Sequence, residues 1–263
     1  MDWGLSNRLA RILRPPHGRT VMLAVDHGYF LGPTSGLEEP RKTIAPLLAY
    51  ADSLMLTRGV LRTSVAPSTD VPIVLRVSGG ASILRELSHE GLTVAIEDAI
   101  RLNVSAITLS IFVGSEGERQ TLLNLAKLVD LGEKYGIPVL AVTAVGKEMT
   151  RDARYLGLCC RIAAEIGARF VKTYYCEGFD EIVRATPVPL IVAGGKKTDE
   201  RAAIELAANA VRAGAAGVDM GRNIFQSESP VGMIRAVRAI VHDAASVAGA
   251  YAIYEQEKSK GSR

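Results

Sequence analysis

The sequence predicts an α/β fold of the (β/α)8 class, a TIM barrel preceded by one N-terminal helix. Eight short apolar runs recur along the chain, and they are nearly continuous rather than alternating, as in parallel strands covered on both faces. Helical periodicity separates most of these runs. The length of 263 residues suits eight strand–helix units, because such barrels have about 250 residues. We therefore predict a single barrel domain over residues 1–263.

The elements follow one another in order. Leu5, Leu9 and Ile12 recur at helical spacing within residues 1–14, and Pro15 ends that helix. The eight predicted strands cover residues 21–25, 53–56, 73–77, 106–111, 139–142, 169–172, 190–193 and 217–219. Helical patterns follow the later strands at 122–129, 162–166, 203–210 and 233–240, and a final helix with a frayed end is predicted over 243–263.

Two segments interrupt the regular pattern. Residues 58–70 are too short for a full helix, so the second unit is expected to be irregular. Glu97 and Asp98 are expected on a solvated helix face. Glycine ends several helices before the next strand, at Gly136, Gly167 and Gly214. The competing architecture, an open doubly wound sheet, would usually show G-x-G-x-x-G after its first strand, and the turn there reads DHGYFLGP instead.

Composition excludes several classes of function. The chain is 48% hydrophobic with a net charge of +3, and no block of lysine and arginine is long enough to predict nucleic-acid binding. No run reaches the roughly 18 apolar residues of a membrane helix. Cys159, Cys160 and Cys176 lack zinc-binding spacing, so neither a metal nor another bound cofactor is predicted. An odd cysteine count favours a reducing cytoplasm.

Lys172 is the candidate catalytic residue. It ends the sixth apolar run, after Phe170 and Val171 and before Tyr174. An amine removed from water loses solvation, which disfavours its charged form, and an uncharged amine attacks a carbonyl to form a Schiff base. A lysine whose charged end reaches solvent, or is paired with a carboxylate, is the alternative interpretation.

Other candidates also follow strand ends, where barrels place their catalytic residues. Asp26 and His27 follow the first strand. Asp26 is expected to orient a substrate hydroxyl or to pair with Lys172, the alternative being a cap on the next loop. For His27, a catalytic role and simple local packing are equally open. Lys147 and Glu148, after the fifth strand, are loop charges within possible reach of the site.

The loops after the seventh and eighth strands predict a phosphate site, because barrels commonly bind phosphate there with backbone N–H groups. Gly194, Gly195 and Gly221 let the backbone approach a ligand closely, and Arg222 adds a charged fork. The stretch GGKK is not a Walker loop. Together with Lys172, these loops predict a Schiff-base enzyme acting on a phosphorylated carbonyl compound.

With these residues in view, the chain resembles the class I aldolases of the DeoC/FbaB family over residues 21–242. The stretches AVDHG, VKTYY, VAGGKK and GVDMGRNIFQS carry the resemblance. It implies that Lys172 is the Schiff-base lysine, that Asp26 is an active-site carboxylate, and that the phosphate cradle consists of Gly194, Gly195, Gly221 and Arg222.

A narrower resemblance, carried by MDWGLSNRLARI, VMLAVDHGYFLGPT, TRGVLR and AVGKEMTRDARY, is to thiolases within that family that process breakdown products of autoinducer-2. It implies cleavage of 3-hydroxy-5-phosphonooxypentane-2,4-dione with coenzyme A as co-substrate, and a homo-oligomer, a decamer of two five-membered rings. Fructose-bisphosphate aldolases of the family have an acid/base tyrosine where Val145 stands here, which disfavours ordinary aldol cleavage. A fructose-1,6-bisphosphate aldolase, a transaldolase-like synthase and a non-catalytic barrel that binds a phosphorylated signal remain the alternatives.

Overall fold

A computed structural model of the chain describes residues 2–144 and 149–261 and contains a closed barrel of eight parallel strands. Each strand pairs with the next along the chain, and the last pairs with the first. The predicted barrel is therefore confirmed, with strand bounds that differ by at most one residue at either end from those predicted. The strands are β1 Thr20–Ala24, β2 Ser53–Thr57, β3 Ile73–Arg76, β4 Ala106–Ile111, β5 Val139–Thr143, β6 Phe170–Thr173, β7 Leu190–Ala193 and β8 Gly217–Met220.

Helices surround the barrel and connect its strands, and a 3-10 helix at Ala45–Tyr50 precedes β2. None of the helices in the described part of the chain is both long and apolar enough to cross a membrane. The α-helices are α1 Trp3–Ile12, α2 Gly28–Leu31, α3 Pro40–Ile44, α4 Arg58–Ser64, α5 Ile96–Arg101, α6 Glu118–Tyr135, α7 Ala153–Ile166, α8 Phe179–Ala185, α9 Glu200–Arg212, α10 Arg222–Phe225, α11 Pro230–Asp243 and α12 Val247–Gly261.

The N-terminal helix closes the end of the barrel at which the strands begin. Ile12 and Leu13 pack into one cluster with the inward-facing side chains of the strands, including Met22, Met55 and Phe170. Because side chains alternate between the two faces of a strand, Lys172 lies on the same inner face as Phe170, two residues earlier. These apolar side chains therefore fill the end of the barrel at which the strands begin. Polar side chains lie at the other end, where the strands finish.

The opposite faces of the strands pack against the surrounding helices. Val171 and Val218 belong to this outer core, together with helix residues such as Leu125 and Ile204, all without exposed surface. Burying each such aliphatic side chain contributes roughly 1.5–3 kcal/mol, so this layer supplies most of the stability that holds the strand ends in place.

Glycines end two helices where the sequence predicts it. Gly136 after α6 and Gly167 after α7 adopt positive φ angles of 66° and 114°. That left-handed conformation carries little penalty for glycine and lets the chain turn directly into the next strand. These two joints fix where β5 and β6 begin, and so how far along the barrel Lys172 lies.

Two features depart from the expectations. A short antiparallel pair, Ser78–Gly79 with Gly91–Leu92, follows β3 and was not predicted. The expectation that Asp98 lies on a solvated helix face is wrong, because its side chain is only 8% exposed and binds three arginines. A helical pattern shows which residues share a face, but it does not show which arginine side chains of neighbouring elements bind to that face.

Candidate active site

A cavity of about 370 Å³ opens at the carboxyl ends of the strands. All eight strands contribute to its lining, seven of them with residues at or just beyond their carboxyl ends and β2 with Met55, so it occupies the position where barrels hold their active sites. Every site residue predicted from the sequence contributes to its wall: Asp26, His27, Lys172, Gly194, Gly195, Gly221 and Arg222.

Lys172 points into this cavity and forms an ion pair with Asp219 on β8. The Lys172 Nζ lies 2.7 Å from the Asp219 Oδ2, and the two side chains are 12% and 0% exposed. Burial raises the pKa of Asp219 above its usual range, although the charge of Lys172 opposes the shift. The pair can exchange a proton within a site largely shielded from water, which gives the amine a route to its nucleophilic form.

Asp26 is also buried in the cavity wall, but its direct partner is Arg76. The Arg76 Nε donates to the Asp26 Oδ2 at 3.0 Å, and the Arg76 Nη1 donates to the Ser110 Oγ at 3.0 Å. Burial alone would raise the pKa of Asp26, but the charges of Arg76 and then Lys172 outweigh it and lower the pKa. The direct pairing of Asp26 with Lys172, one of two possibilities the sequence left open, is not the arrangement found.

His27 is half-buried beside the phosphate loops, with its ring edge-on to Phe225 at 5.6 Å between ring centroids. Burial lowers the pKa of His27 to about 4; Asp26 opposes the shift, and Lys172 and Arg222 add to it. The imidazole is therefore neutral at neutral pH. Its buried Nδ1 has no hydrogen-bond partner among the described residues, so it is available to a ligand.

The loops after β7 and β8 meet across the mouth of the cavity. The Arg222 Nη2 donates to the Gly195 carbonyl at 3.0 Å, and the buried Arg222 Nε has no partner in the described part of the chain. Gly195 has a φ of +71°, which disfavours other residues. At Gly221 a Cβ would lie 2.4 Å from the Ala24 carbonyl oxygen. Both glycines are thus required by the backbone of the cradle.

Asn223 holds the two loops together. Its Nδ2 donates to the carbonyls of Gly194 at 2.7 Å and Lys196 at 3.2 Å, and its Oδ1 accepts from the Thr198 N–H at 2.9 Å. These bonds fix the Gly194–Gly195 backbone before any ligand arrives. An anion-binding loop that is already ordered loses little conformational entropy when it binds.

Tyr29 and Glu90 form the wall on the side of β3. The Tyr29 hydroxyl donates to the Glu90 Oε1 at 2.7 Å, and the Ser78 hydroxyl donates to the Glu90 Oε2 at 2.5 Å. Burial raises the pKa of Tyr29, so its phenol stays protonated. The Arg76 guanidinium lies 5.2 Å from the centre of the Tyr29 ring.

The competing lysines are placed differently from Lys172. Lys196 lines the mouth and is exposed, and Lys197 forms an ion pair with Glu200 at 2.8 Å. Val145, Lys147 and Glu148 lie outside the described residues. Of the described lysines, Lys172 alone lines the interior of the cavity at a strand end.

Sequence reasoning missed Asp219, Arg76 and Asn223 as site residues. Asp219 lies two residues after Gly217, and Arg76 two after Val74, so strand alternation is the signal that would have placed both side chains inside the barrel. Asn223 gives no comparable signal, since its bonds reach back to a loop almost thirty residues earlier in the chain.

The family model for the DeoC/LacD family aldolases matches residues 20–227 of this chain. Among curated proteins, the chain is 57% identical to the 3-hydroxy-5-phosphonooxypentane-2,4-dione thiolase of Klebsiella pneumoniae, over 98% of this chain and 88% of that protein. It is 54% identical to the enzyme of the same name from Escherichia coli, over 98% of this chain and 89% of that protein.

Solved structures of aldolases also superpose on this chain. An archaeal fructose 1,6-bisphosphate aldolase superposes with a TM-score of 0.81 at 27% identity, over 91% of this chain and 99% of that one. A second archaeal fructose-1,6-bisphosphate aldolase structure has its catalytic lysine covalently bound to the carbinolamine intermediate of the substrate. It superposes with a TM-score of 0.82 at 26% identity, over 90% of this chain and 99% of the other.

Proposed function

This chain belongs to the DeoC/LacD family of aldolases, and we propose that it is a thiolase, an acyltransferase that cleaves 3-hydroxy-5-phosphonooxypentane-2,4-dione with coenzyme A. The products are acetyl-coenzyme A and dihydroxyacetone phosphate. The observation that carries the proposal is the buried Lys172–Asp219 pair at the end of β6, beside a preformed anion cradle. Relatives at 54–57% identity that bear this thiolase name support the choice of substrate.

The proposed cleavage determines which of the two substrate ketones the Lys172 amine attacks. The bond between C2 and C3 breaks, and C3 keeps the electron pair. An electron sink must therefore adjoin C3, and an iminium at C4 is such a sink. The Lys172 amine adds to C4, and the proton held by Asp219 leaves with the hydroxyl as water to give the iminium. The coenzyme A thiol then attacks C2 as it loses its proton, and cleavage of the bond between C2 and C3 leaves an enamine over C3 and C4. Protonation of C3 and hydrolysis of the iminium release dihydroxyacetone phosphate and regenerate the amine.

Charges at the site suit these steps. Asp219 takes up the proton that the Lys172 ammonium loses, and its raised pKa makes it a suitable acceptor. Asp26, kept ionised beside Arg76, stabilises the positive iminium. Carboxylates on two different strands thereby have different roles.

We assign the proton of the coenzyme A thiol to His27. The neutral imidazole accepts that proton as the carbon–sulfur bond forms and returns it to C3, so the proton balance closes. Arg222 lowers the pKa of His27 in the empty site, and a phosphate on Arg222 offsets that effect. Substrate binding therefore raises the basicity of His27 when it is needed.

The substrate phosphate binds to the backbone N–H groups of Gly195 and Gly221 and to the Arg222 guanidinium. Gly194 belongs to the same cradle, but its own N–H donates to the Asp219 carbonyl at 3.3 Å. Arg222 has unused donors there, including its buried Nε. A carbon–sulfur bond to a protein cysteine plays no part, because Cys159, Cys160 and Cys176 do not line the cavity and burial raises the pKa of all three thiols.

We also propose a biological role, an oligomeric state and a cellular compartment for the enzyme. Resemblance supports a role in the breakdown of the signal autoinducer-2 and a decameric homo-oligomer, and cysteine usage favours the cytoplasm. Light scattering on the purified protein measures the assembly, and a stable monomer would refute the decamer.

A product assay with and without coenzyme A tests the reaction. We expect acetyl-coenzyme A and dihydroxyacetone phosphate in equal amounts, no cleavage of the dione without the thiol, and no cleavage of fructose 1,6-bisphosphate. Cleavage of the sugar bisphosphate without coenzyme A would instead identify a fructose-bisphosphate aldolase. Failure of borohydride to trap substrate on the protein would favour a non-catalytic barrel.

A further inference from the structure

A second cavity lies beside the catalytic one, over the ends of β1, β2 and β3, with a volume of about 590 Å³. Asp26, Tyr29 and Arg76 belong to the walls of both cavities. The proposed reaction needs a thiol inside the catalytic cavity whose long remainder lies outside it. The shared wall means that a ligand in the second cavity borders the reacting groups.

The walls of the second cavity are mostly uncharged. They include Val60 and Val94, the hydroxyls of Thr57 and Thr93, and the backbone of four glycines, of which Gly28, Gly59 and Gly80 are exposed and Gly79 is buried. Apolar contact combined with scattered hydrogen-bonding groups matches the pantetheine arm of coenzyme A, which consists of methylenes and two amides.

Three arginines gather at the rim of this cavity around one carboxylate. Asp98 is bound by Arg58 at 3.2 Å, by Arg62 at 2.7 Å and by Arg101 at 3.0 Å. Arg58 also lines the cavity. Arg41 donates to the Thr63 carbonyl, on another residue of the same cavity wall.

This cluster carries an excess of positive charge. Three guanidiniums against the single Asp98 carboxylate leave a net charge of +2. The arginine side chains are 43%, 50% and 76% exposed, whereas Asp98 is 8% exposed. The carboxylate thus holds the guanidiniums in place while their outer donors stay open to solvent, which is the arrangement that suits a polyanion. Glu97, the neighbour of Asp98 on α5, is the exposed acidic residue nearest in sequence.

We propose that coenzyme A docks here, with its phosphates on Arg58, Arg62 and Arg101 and its pantetheine arm in the second cavity, so that the thiol reaches the catalytic cavity past Tyr29. The inference rests on the proposed thiolase function. The charge of the ligand matches the cluster, since the pyrophosphate and the 3′-phosphate of coenzyme A are all anionic. The dione phosphate has its own cradle on the opposite side, at Gly195 and Arg222.

A comparison of coenzyme A with a shorter thiol distinguishes the arginine cluster that binds the phosphates from the cavity that binds the pantetheine arm. In the double variant Arg62→Gln/Arg101→Gln, which changes the two arginines of the cluster that do not line the second cavity, Asp98 keeps Arg58 as its partner. We expect the KM for coenzyme A to rise about tenfold or more, as for loss of hydrogen bonds to a charged group. The KM for pantetheine, which has no phosphates, and the kcat should stay unchanged. Adenosine 3′,5′-bisphosphate should compete with coenzyme A in the unaltered protein and lose that effect in the variant.

A larger side chain in the second cavity tests whether that cavity binds the pantetheine arm. A Cβ at Gly59 meets nothing within 4 Å, and glycine lowers helix stability, so Gly59→Leu should fold and project into the space. It should raise the KM for both coenzyme A and pantetheine. Borohydride trapping of the dione without any thiol should be unaffected in all variants, which shows that the Lys172 site is intact.

Arg85→Gln is the matched control. Arg85 lines a different cavity that also borders Tyr29, together with Ser82 and His89. Its removal should leave the KM for coenzyme A unchanged. A rise with Arg85→Gln, or a rise in only one of the other two variants, would overturn the proposed dock. If the unaltered protein makes no acetyl-coenzyme A at all, the thiolase function itself fails, and that outcome is distinct from unchanged KM values in an active enzyme.

Discussion

The Lys172 ammonium lies 2.7 Å from the carboxylate of Asp219, whose side chain has no exposed surface. Apart from this ion pair, the Asp219 oxygens have no hydrogen-bond partner in the described part of the chain. A buried carboxylate with a single compensating contact depends on that contact, because its desolvation penalty is several kcal/mol. The nitrogen that we propose forms the Schiff base therefore also has a structural role.

Lys172→Met should abolish turnover and also destabilise the protein. The nitrogen that forms the Schiff base is lost, and Asp219 is left buried without its cation. We expect the free energy of unfolding to fall by about 3–5 kcal/mol, the usual effect of removing one member of a buried pair. Urea unfolding measures the stability, and mass spectrometry after borohydride reduction should detect no adduct.

Lys172→Met/Asp219→Asn is the matched control for that loss. The neutral amide needs no cation, so the double variant should recover much of the stability while remaining inactive. Equal stability of the single and double variants would show that the ion pair contributes nothing. An adduct in either variant, mapped to Lys147, Lys196 or Lys197, would end the assignment of Lys172.

Gly221→Ala should disrupt the site, whereas Gly91→Ala should not. A Cβ on Gly221 would lie 2.4 Å from both the Ala24 carbonyl oxygen and the His27 Cε1, so β1 or the imidazole must move. We expect a loss of about 1–3 kcal/mol in stability, as for overpacking, and a marked fall in kcat. A Cβ on Gly91 meets nothing within 4 Å, and Gly91 lines neither proposed binding cavity, which makes it the control. Equal activities of the two variants would refute this account.

The sequence predicted the barrel and the cavity wall because both depend on local patterns. Apolar runs reveal strands, strand ends in a barrel point to one mouth, and Lys172, Gly194 and Arg222 each follow a run directly. The roles of these residues remain predictions.

Pairings inside the site were harder to predict, because they depend on which strands face each other across the barrel. Asp26 and Asp219 both end strands near Lys172, and strand order alone does not decide which of them binds the amine. In the structure, Lys172 forms its ion pair with Asp219, and Arg76 forms its ion pair with Asp26. Asp98 shows the same limit, because its partner Arg58 lies at the start of α4, forty residues earlier.

Arg222→Ala should weaken binding of the phosphorylated substrate. Its guanidinium lines the cradle with donors that the described residues leave unused. Loss of hydrogen bonds to a charged group should cost about 1.5–3 kcal/mol, measured as KM for the dione. The unphosphorylated dione should lose little, and Arg201→Ala, on the exposed face of α9, is the control. Equal losses for both substrates would make Arg222 structural.

Turnover should survive exhaustive chelation. The proposed iminium supplies the electron sink that a metal ion provides in other aldol and Claisen cleavages, so no Lewis acid is needed. Activity after dialysis against EDTA, compared with activity after readdition of Zn²⁺, measures this. Loss on dialysis that zinc restores would contradict the proposed chemistry.

The stability of the protein should depend on pH through His27. Burial lowers its pKa to about 4 in the folded chain, and the pKa of an unfolded histidine is about 6.5. Between these values the unfolded chain binds more protons, so the free energy of unfolding falls as the pH drops from about 6.5 towards 4. For a single group with these pKa values the loss between about pH 7.5 and about pH 5 is roughly 2 kcal/mol.

His27→Gln removes the titrating group and should reduce that pH dependence by the same amount. Urea unfolding of both proteins at the two pH values gives the difference directly, and His17→Gln, at an exposed histidine near the N-terminus, is the matched control. Because a bound phosphate offsets the effect of Arg222, inorganic phosphate should also raise the pKa of His27 as followed by NMR. An unchanged pH dependence in His27→Gln would mean that the pKa of His27 is nearly the same in the folded and unfolded protein, so that burial does not lower it.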